Sequence, residues 1–285
     1  MMRIVSSLAG AFVAAAIAVI PSSTVAAPPP QSVKTGHVRV DEYSLSVDCA
    51  GGHHGRPTVI LLSGFGDAHS IWQHIQPRLA HRTHVCSYDR PGEGASSSPH
   101  GTQTLASNAR LLHDLLTRLH VHRRVVLVGH SIGGDIAVKF ARSYPDQTAG
   151  VVVLDATPPG YLQFVLDLIP PSATGLPGAL RQEAVSITTG ENKEQLKVAG
   201  SQWAPTGSLG DTPVDVVQHG QDIFAPTGQY DEPLRTHWED GQLALAGLSD
   251  RSQLITATRS GHYMFVDQPQ LALDVINAVV NAASR

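Results

Sequence analysis

Three side chains on widely separated stretches have the types that acyl transfer through a serine requires. They are Ser131 in Gly129-His130-Ser131-Ile132-Gly133, Asp222 in Gly220-Gln221-Asp222, and His262 in Ser260-Gly261-His262. A serine hydroxyl is a poor nucleophile at neutral pH unless a base takes its proton. Imidazole suits that pH, and a carboxylate on its far nitrogen fixes its tautomer and direction. The developing oxyanion needs N–H donors, for which the candidates are the backbone groups of Phe65, in Ser63-Gly64-Phe65-Gly66-Asp67, and of Ile132. Such a set needs neither metal nor cofactor. Asp155 is the alternative acid, Asp215 points along a strand interior, and His219 competes weakly with His262. His53-His54 has no carboxylate or cysteine at ligand spacing and reads as an exposed loop pair.

Elements that could carry these groups are legible from periodicity. The β-branched run at 124–128 reads as a strand buried on both faces, and 135–144, stopped by Pro145, has helical period. Ser131 therefore falls where a strand turns sharply into a helix, a turn that strains the serine backbone and presents its hydroxyl at the strand's carboxyl edge. A second buried strand at 58–62 runs into the Phe65 turn. Two antiparallel strands are expected in 37–50, turning at Asp41-Glu42, and further strands at 83–88, 151–155, 213–220 and 253–258. Helices are expected at 71–79, 105–119 and 271–280. The fold class is α/β: a mostly parallel sheet with helices on both faces, whose ligand crevice lies beyond the strands' carboxyl ends. Residues 156–211 interrupt the alternation and are expected to form a short helical cap. Tyr161, Phe164 and Leu168 on its amphipathic stretch would bind substrate, and a polar helical stretch would surround 191–198.

The chain has 285 residues, 42% hydrophobic, and carries a net charge of −4. With no basic field, nucleic acid is excluded as a partner class. Met1-Met2-Arg3, an apolar stretch to Ile20 and the small residues through Ala26-Ala27 describe a secretory signal peptide at 1–26. A disordered leader at 27–36 and one domain at 37–285 would follow, leaving a secreted or extracytoplasmic protein without a stable membrane anchor. An oxidising compartment allows Cys49 and Cys86 to pair, the other state being two buried free thiols. Closing that loop of about 37 residues would stabilise the fold by roughly 4 kcal/mol.

The stretches Gly129-His130-Ser131-Ile132-Gly133-Gly134, Ser63-Gly64-Phe65-Gly66, Tyr88-Asp89-Arg90-Pro91-Gly92-Glu93-Gly94-Ala95-Ser96, 220–226 and Gly261-His262, in this order, resemble the α/β-hydrolase-fold serine hydrolases from about residue 37 to 280. The resemblance implies an eight-stranded sheet whose second and fourth strands are neighbours, which would bring Cys49 and Cys86 together as a disulfide. It also implies the chain order Ser, Asp, His and a carboxylesterase-like enzyme. The substrate would be a small-molecule ester, small to medium and apolar, cleaved through an acyl-enzyme on Ser131. The same fold also serves C–C bond hydrolases, aminopeptidases, perhydrolases and non-catalytic small-molecule binders. Serine at the turn disfavours dehalogenases and epoxide hydrolases, which would carry aspartate there. Two features depart from the pattern. Ser63 stands where histidine is frequent, and the acid loop is one residue short, although counting back from Pro226 still selects Asp222. His130 occupies a position the family often fills with histidine for packing.

Overall fold

The computed structural model describes residues 34–52, 55–198 and 209–284. The expected signal peptide, most of the expected leader and His53-His54 lie outside them. Eight strands, β1 (Lys34–Val40), β2 (Tyr43–Ala50), β3 (Thr58–Leu62), β4 (Val85–Tyr88), β5 (Val125–His130), β6 (Thr148–Leu154), β7 (Val214–His219) and β8 (Ser252–Ala257), form one sheet. Their order is β1-β2-β4-β3-β5-β6-β7-β8. β2 runs antiparallel to β1 and β4, and every other neighbouring pair is parallel. The edge hairpin includes Lys34, which pairs with Cys49.

The central strands β3, β5 and β6 are buried along their whole length, as unbroken apolar runs in a sheet covered on both faces must be. Strand period divides them between two cores, the second of which also takes Leu79 and Ala80 of the short helix α1 (Gln76–Ala80). Ile60, Leu62, Leu127, Val151 and Val153 face helices α2 (Leu105–Arg118) and α3 (Ile132–Ser143). Val59, Leu61, Val126, Val128 and Val152 face Trp72 and the closing helix at Pro269–Ala283. Full burial of each such side chain contributes about 1.5–3 kcal/mol. Helix α2 starts where Thr104 and Ser107 exchange side-chain hydrogen bonds with each other's backbone N–H. Cys49 and Cys86 are direct partners across β2 and β4, with Cα atoms 4.1 Å apart, and form a disulfide.

The cap differs from its expected outline. It contains α4 (Tyr161–Leu168) and α5 (Gly175–Thr189), whereas 191–198 is not helical. Gly190, at φ 82°, ends α5, and Asn192 then ties the chain into a turn through its bonds to Ser186 and Leu196. A further helix, α6 (Asp231–Ala246), lies between β7 and β8 in a stretch with no helix assigned from sequence. Its buried residues Leu234, Trp238 and Leu245 carry a helical spacing, and Asp231 and Glu232 in its first turn suit the positive end of the helix dipole.

Candidate active site

Ser131 lies between β5 and α3 with φ 51° and ψ −128°, a left-handed conformation that costs a non-glycine residue about 1–3 kcal/mol. Its surroundings hold it there. The Ser131 N–H donates to Leu154 O at 3.1 Å, and Gly133 packs so closely on the end of β3 that an added Cβ would collide with the Leu62 carbonyl. The turn after β3 approaches from the other side, since a Cβ on Gly64 would lie 3.3 Å from Ser131 Cβ. Phe65 and Ile132 both line the cavity on which Ser131 opens. Ile132 begins α3, whose first N–H groups have no acceptor within the helix.

His262 lines the same cavity from the loop after β8. Its Nδ1 lies 2.7 Å from Asp155 Oδ2. An ionised carboxylate only accepts, so the ring carries its proton on Nδ1 and keeps the Nε2 lone pair for a proton in transit. His130 Nε2–H donates to the His262 carbonyl at 3.0 Å and ties the loop to the serine turn. Burial, followed by the charge on His262, holds the His130 imidazole well below its usual range, so it acts as a neutral tether.

The acid is a correction to the expected set. Asp222 is exposed, and its Oδ1 accepts from the Phe224 and Ala225 N–H groups at 3.0 Å each, capping its own helical turn and not the imidazole. Gly220 and Gln221 N–H both bond the Ser260 carbonyl, which fixes the chain just before Asp222. The carboxylate facing His262 is Asp155, the alternative acid, at the end of β6 with φ 47° and no exposed surface. Burial alone would raise its pKa. Hydrogen bonds from His219 and His262 outweigh that and hold it well below the usual carboxylate range. Asp215 is buried within β7, as expected of a strand-interior residue, and burial raises its carboxyl.

The cavity holds about 250 Å³ and is roofed by the cap. Of the expected substrate contacts, Tyr161 lines it; Phe164 and Leu168 do not. Phe164 and Leu168 are half-buried and pack on the cluster that holds Tyr161 and Val165, beside the cavity and not on its wall. Phe164 instead stacks on His237 with ring centroids 4.2 Å apart. Leu180, Ile187, Ile223 and Phe224 complete the apolar wall. Ser63, where histidine was the frequent residue, accepts from Trp72 Nε1 at 3.0 Å and so braces the oxyanion turn from below.

Three residues with structural roles at the site had not been singled out. Trp238 donates Nε1–H to Asp155 Oδ1 at 3.0 Å, and its helical spacing was the available signal. Glu183 and Asp67 line the cavity. Desolvation raises both carboxyls despite the opposing pull of His262 on each and of Arg90 on Asp67. No local pattern marked either of them.

A family model described as Alpha/beta hydrolase family matches residues 59–275. Among curated proteins, the uncharacterized protein Rv2715 of Mycobacterium tuberculosis is 34% identical over 100 residues, 35% of this chain and 29% of that protein. The putative carbamate hydrolase RutD of Cronobacter sakazakii is 33% identical over 103 residues, 35% of this chain and 38% of RutD. The chain thus aligns with only 29% to 38% of these relatives' length. Among solved structures, a thermophilic esterase from Thermogutta terrifontis superposes with TM-score 0.63 at 19% identity, covering 90% of this chain and 99% of the esterase, a likeness of fold. With the sheet order, the serine turn and a family match over most of its length, this chain belongs to the alpha/beta hydrolase family.

Proposed function

We propose that the protein is a serine esterase that cleaves small to medium, apolar, uncharged carboxylic esters through an acyl-enzyme on Ser131. The observation that carries this reading is the 2.7 Å contact between His262 Nδ1 and buried Asp155, opening on the cavity lined by Ser131 in its strained turn. In this mechanism His262 Nε2 takes the Ser131 hydroxyl proton as the oxygen attacks the ester carbonyl. The N–H groups of Phe65 and Ile132 hold the oxyanion, and Asp155 stabilises the imidazolium. Collapse of the tetrahedral intermediate breaks the bond to the alcohol oxygen, which leaves with the proton from His262. A water, deprotonated by the same nitrogen, then releases the acid and restores Ser131.

Substrate character follows from the wall. Leu162, Val165, Leu180 and Ile187 favour apolar groups, and about 250 Å³ suits a small ester. Among the described lining residues no Lys or Arg offers a counter-ion, while Asp67 and Glu183 add negative character, which disfavours anionic substrates. The Cys49–Cys86 disulfide supports work in an oxidising compartment, in keeping with 1–26 as a cleaved signal peptide. The test is labelling by a fluorophosphonate probe beside turnover of a panel of neutral esters, amides and lactones. Ser131→Ala is expected to abolish both labelling and ester turnover with the fold intact. Unchanged ester turnover in that variant refutes the proposal.

A further inference from the structure

Asp155 serves two imidazoles. Besides His262 on Oδ2, its carboxylate faces His219 Nδ1 at 3.0 Å from Oδ1 and 2.9 Å from Oδ2. The His219 backbone N–H reaches Oδ1 at 3.1 Å, and Trp238 Nε1 reaches the same oxygen at 3.0 Å. His219 ends β7, and Asp155 follows the neighbouring β6, its own N–H bonded to Val217 O at 2.7 Å, so the sheet register places the two residues side by side. The His219 side chain is 8% exposed, and its ring packs edge-on to Phe224. It does not line the cavity that holds Ser131. Since the carboxylate can only accept, the His219 proton is on Nδ1.

We infer that His219 is a positioning residue for the reaction proposed above: its Nδ1–H, shared between both Asp155 oxygens, together with Trp238 on Oδ1 fixes the plane of the carboxylate and so holds Oδ2 in line with His262. The inference rests on the serine-esterase reading. Its physical basis is that Asp155, at a positive φ just beyond a strand end, has no regular backbone to fix its side-chain direction. A carboxylate free to turn about its Cβ–Cγ bond would swing its lone pairs out of line with His262 Nδ1. Donors held by β7 and α6 remove that freedom before substrate arrives. Sharing the charge among four donors also moderates its hold on an imidazolium at His262. Other groups act on His262 as well: His130 packs against it with ring centroids 4.5 Å apart, and the Asp67 and Glu183 carboxyls act on it electrostatically. The comparison must therefore be made with those residues unaltered.

The experiment compares His219→Phe, which removes the ring donor, with His219→Asn, whose amide can donate from the position of Nδ1. For the phenylalanine variant kcat is expected to fall about tenfold with KM changed less than about twofold. The acid limb of its rate profile is expected to move up by about half a pH unit. Asparagine is expected to recover most of both effects. In proton spectra, one of the two strongly downfield imidazole N–H resonances of the wild type is expected to vanish in His219→Phe while that of His262 remains. A phenylalanine variant of native melting behaviour with unchanged kcat and acid limb overturns the inference, as does an asparagine variant as impaired as phenylalanine. If phenylalanine prevents folding, the asparagine kinetics and the wild-type count of downfield resonances decide alone. Failure of the underlying esterase reading is distinguishable, because wild-type protein would then not label with fluorophosphonate at all.

Discussion

Glu194, which follows the cap helices, grips the Arg90 guanidinium with both oxygens, Oε2 to Nε at 2.7 Å and Oε1 to Nη2 at 2.9 Å. The pair is sealed, with side-chain exposures of 3% for Arg90 and none for Glu194. Arg90 also donates from Nη1 to the Ser63 carbonyl and from Nη2 to the Gly64 carbonyl at 2.6 Å each, and Glu194 Oε1 also accepts from Gly66 N–H. The turn that carries Phe65 is thereby fixed through a charge pair rooted in the cap.

Glu194→Ala would leave the Arg90 charge buried and unpaired and is expected to destabilise the fold by about 3 kcal/mol or more. In folded protein, kcat is expected to fall more than KM rises, because the oxyanion donor moves and not the apolar wall. Chemical denaturation and steady-state kinetics on the same samples check both parts. A stable variant with normal kcat would show that the clamp does not position the turn.

Asp155→Asn and Asp222→Asn separate the two candidate acids. An amide at 155 cannot hold the imidazolium and favours the wrong tautomer, so kcat is expected to drop roughly a thousandfold. At 222 the amide oxygen can still accept the Phe224 and Ala225 N–H groups, and activity is expected to stay within about threefold of wild type. A reversed outcome would restore Asp222 as the acid.

The depressed carboxyl of Asp155 has a consequence for acid stability. Below about pH 4 an unfolded Asp takes up a proton while folded Asp155 does not, so the unfolded state binds more protons and stability falls with falling pH. Its stabilising share is complete above the unfolded value and is lost progressively as pH drops toward the folded one. Melting temperatures of wild type and Asp155→Asn between pH 6 and pH 2 test this, with the variant expected to show the flatter acid decline. Parallel curves would mean that Asp155 gains nothing from its donors.

Substrate charge selection should track Glu183. Burial raises its carboxyl, so its charge develops later on the way up in pH than that of an ordinary glutamate. The preference for a cationic over an otherwise matched anionic ester is expected to grow through that interval, and Glu183→Gln is expected to reduce it a few-fold. The kcat/KM ratio for the two esters, followed across pH, reads it directly. A ratio insensitive to both pH and the substitution would remove Glu183 from the specificity wall.

Local pattern alone determined a large part of this protein. The apolar runs ending at His130 and Leu62 could only be strands buried on both faces, and the glycines after them forced the turns that expose Ser131 and Phe65. His262 was legible for the same reason: it follows the last strand at the sheet's carboxyl edge. The acid was not, because Asp155 and Asp222 both lie beyond strand ends and differ only in how far each following loop travels. Tertiary contacts decided between them: His262, Trp238 and His219 meet Asp155 in the interior, while Asp222 caps its own loop. Glu194 was silent in sequence because its partner Arg90 lies on a distant element, and Glu183 because only packing of the cap on the sheet brings it to the cavity. Strand and turn propensities act over a few residues, whereas the partner of a buried charge is chosen by the whole fold.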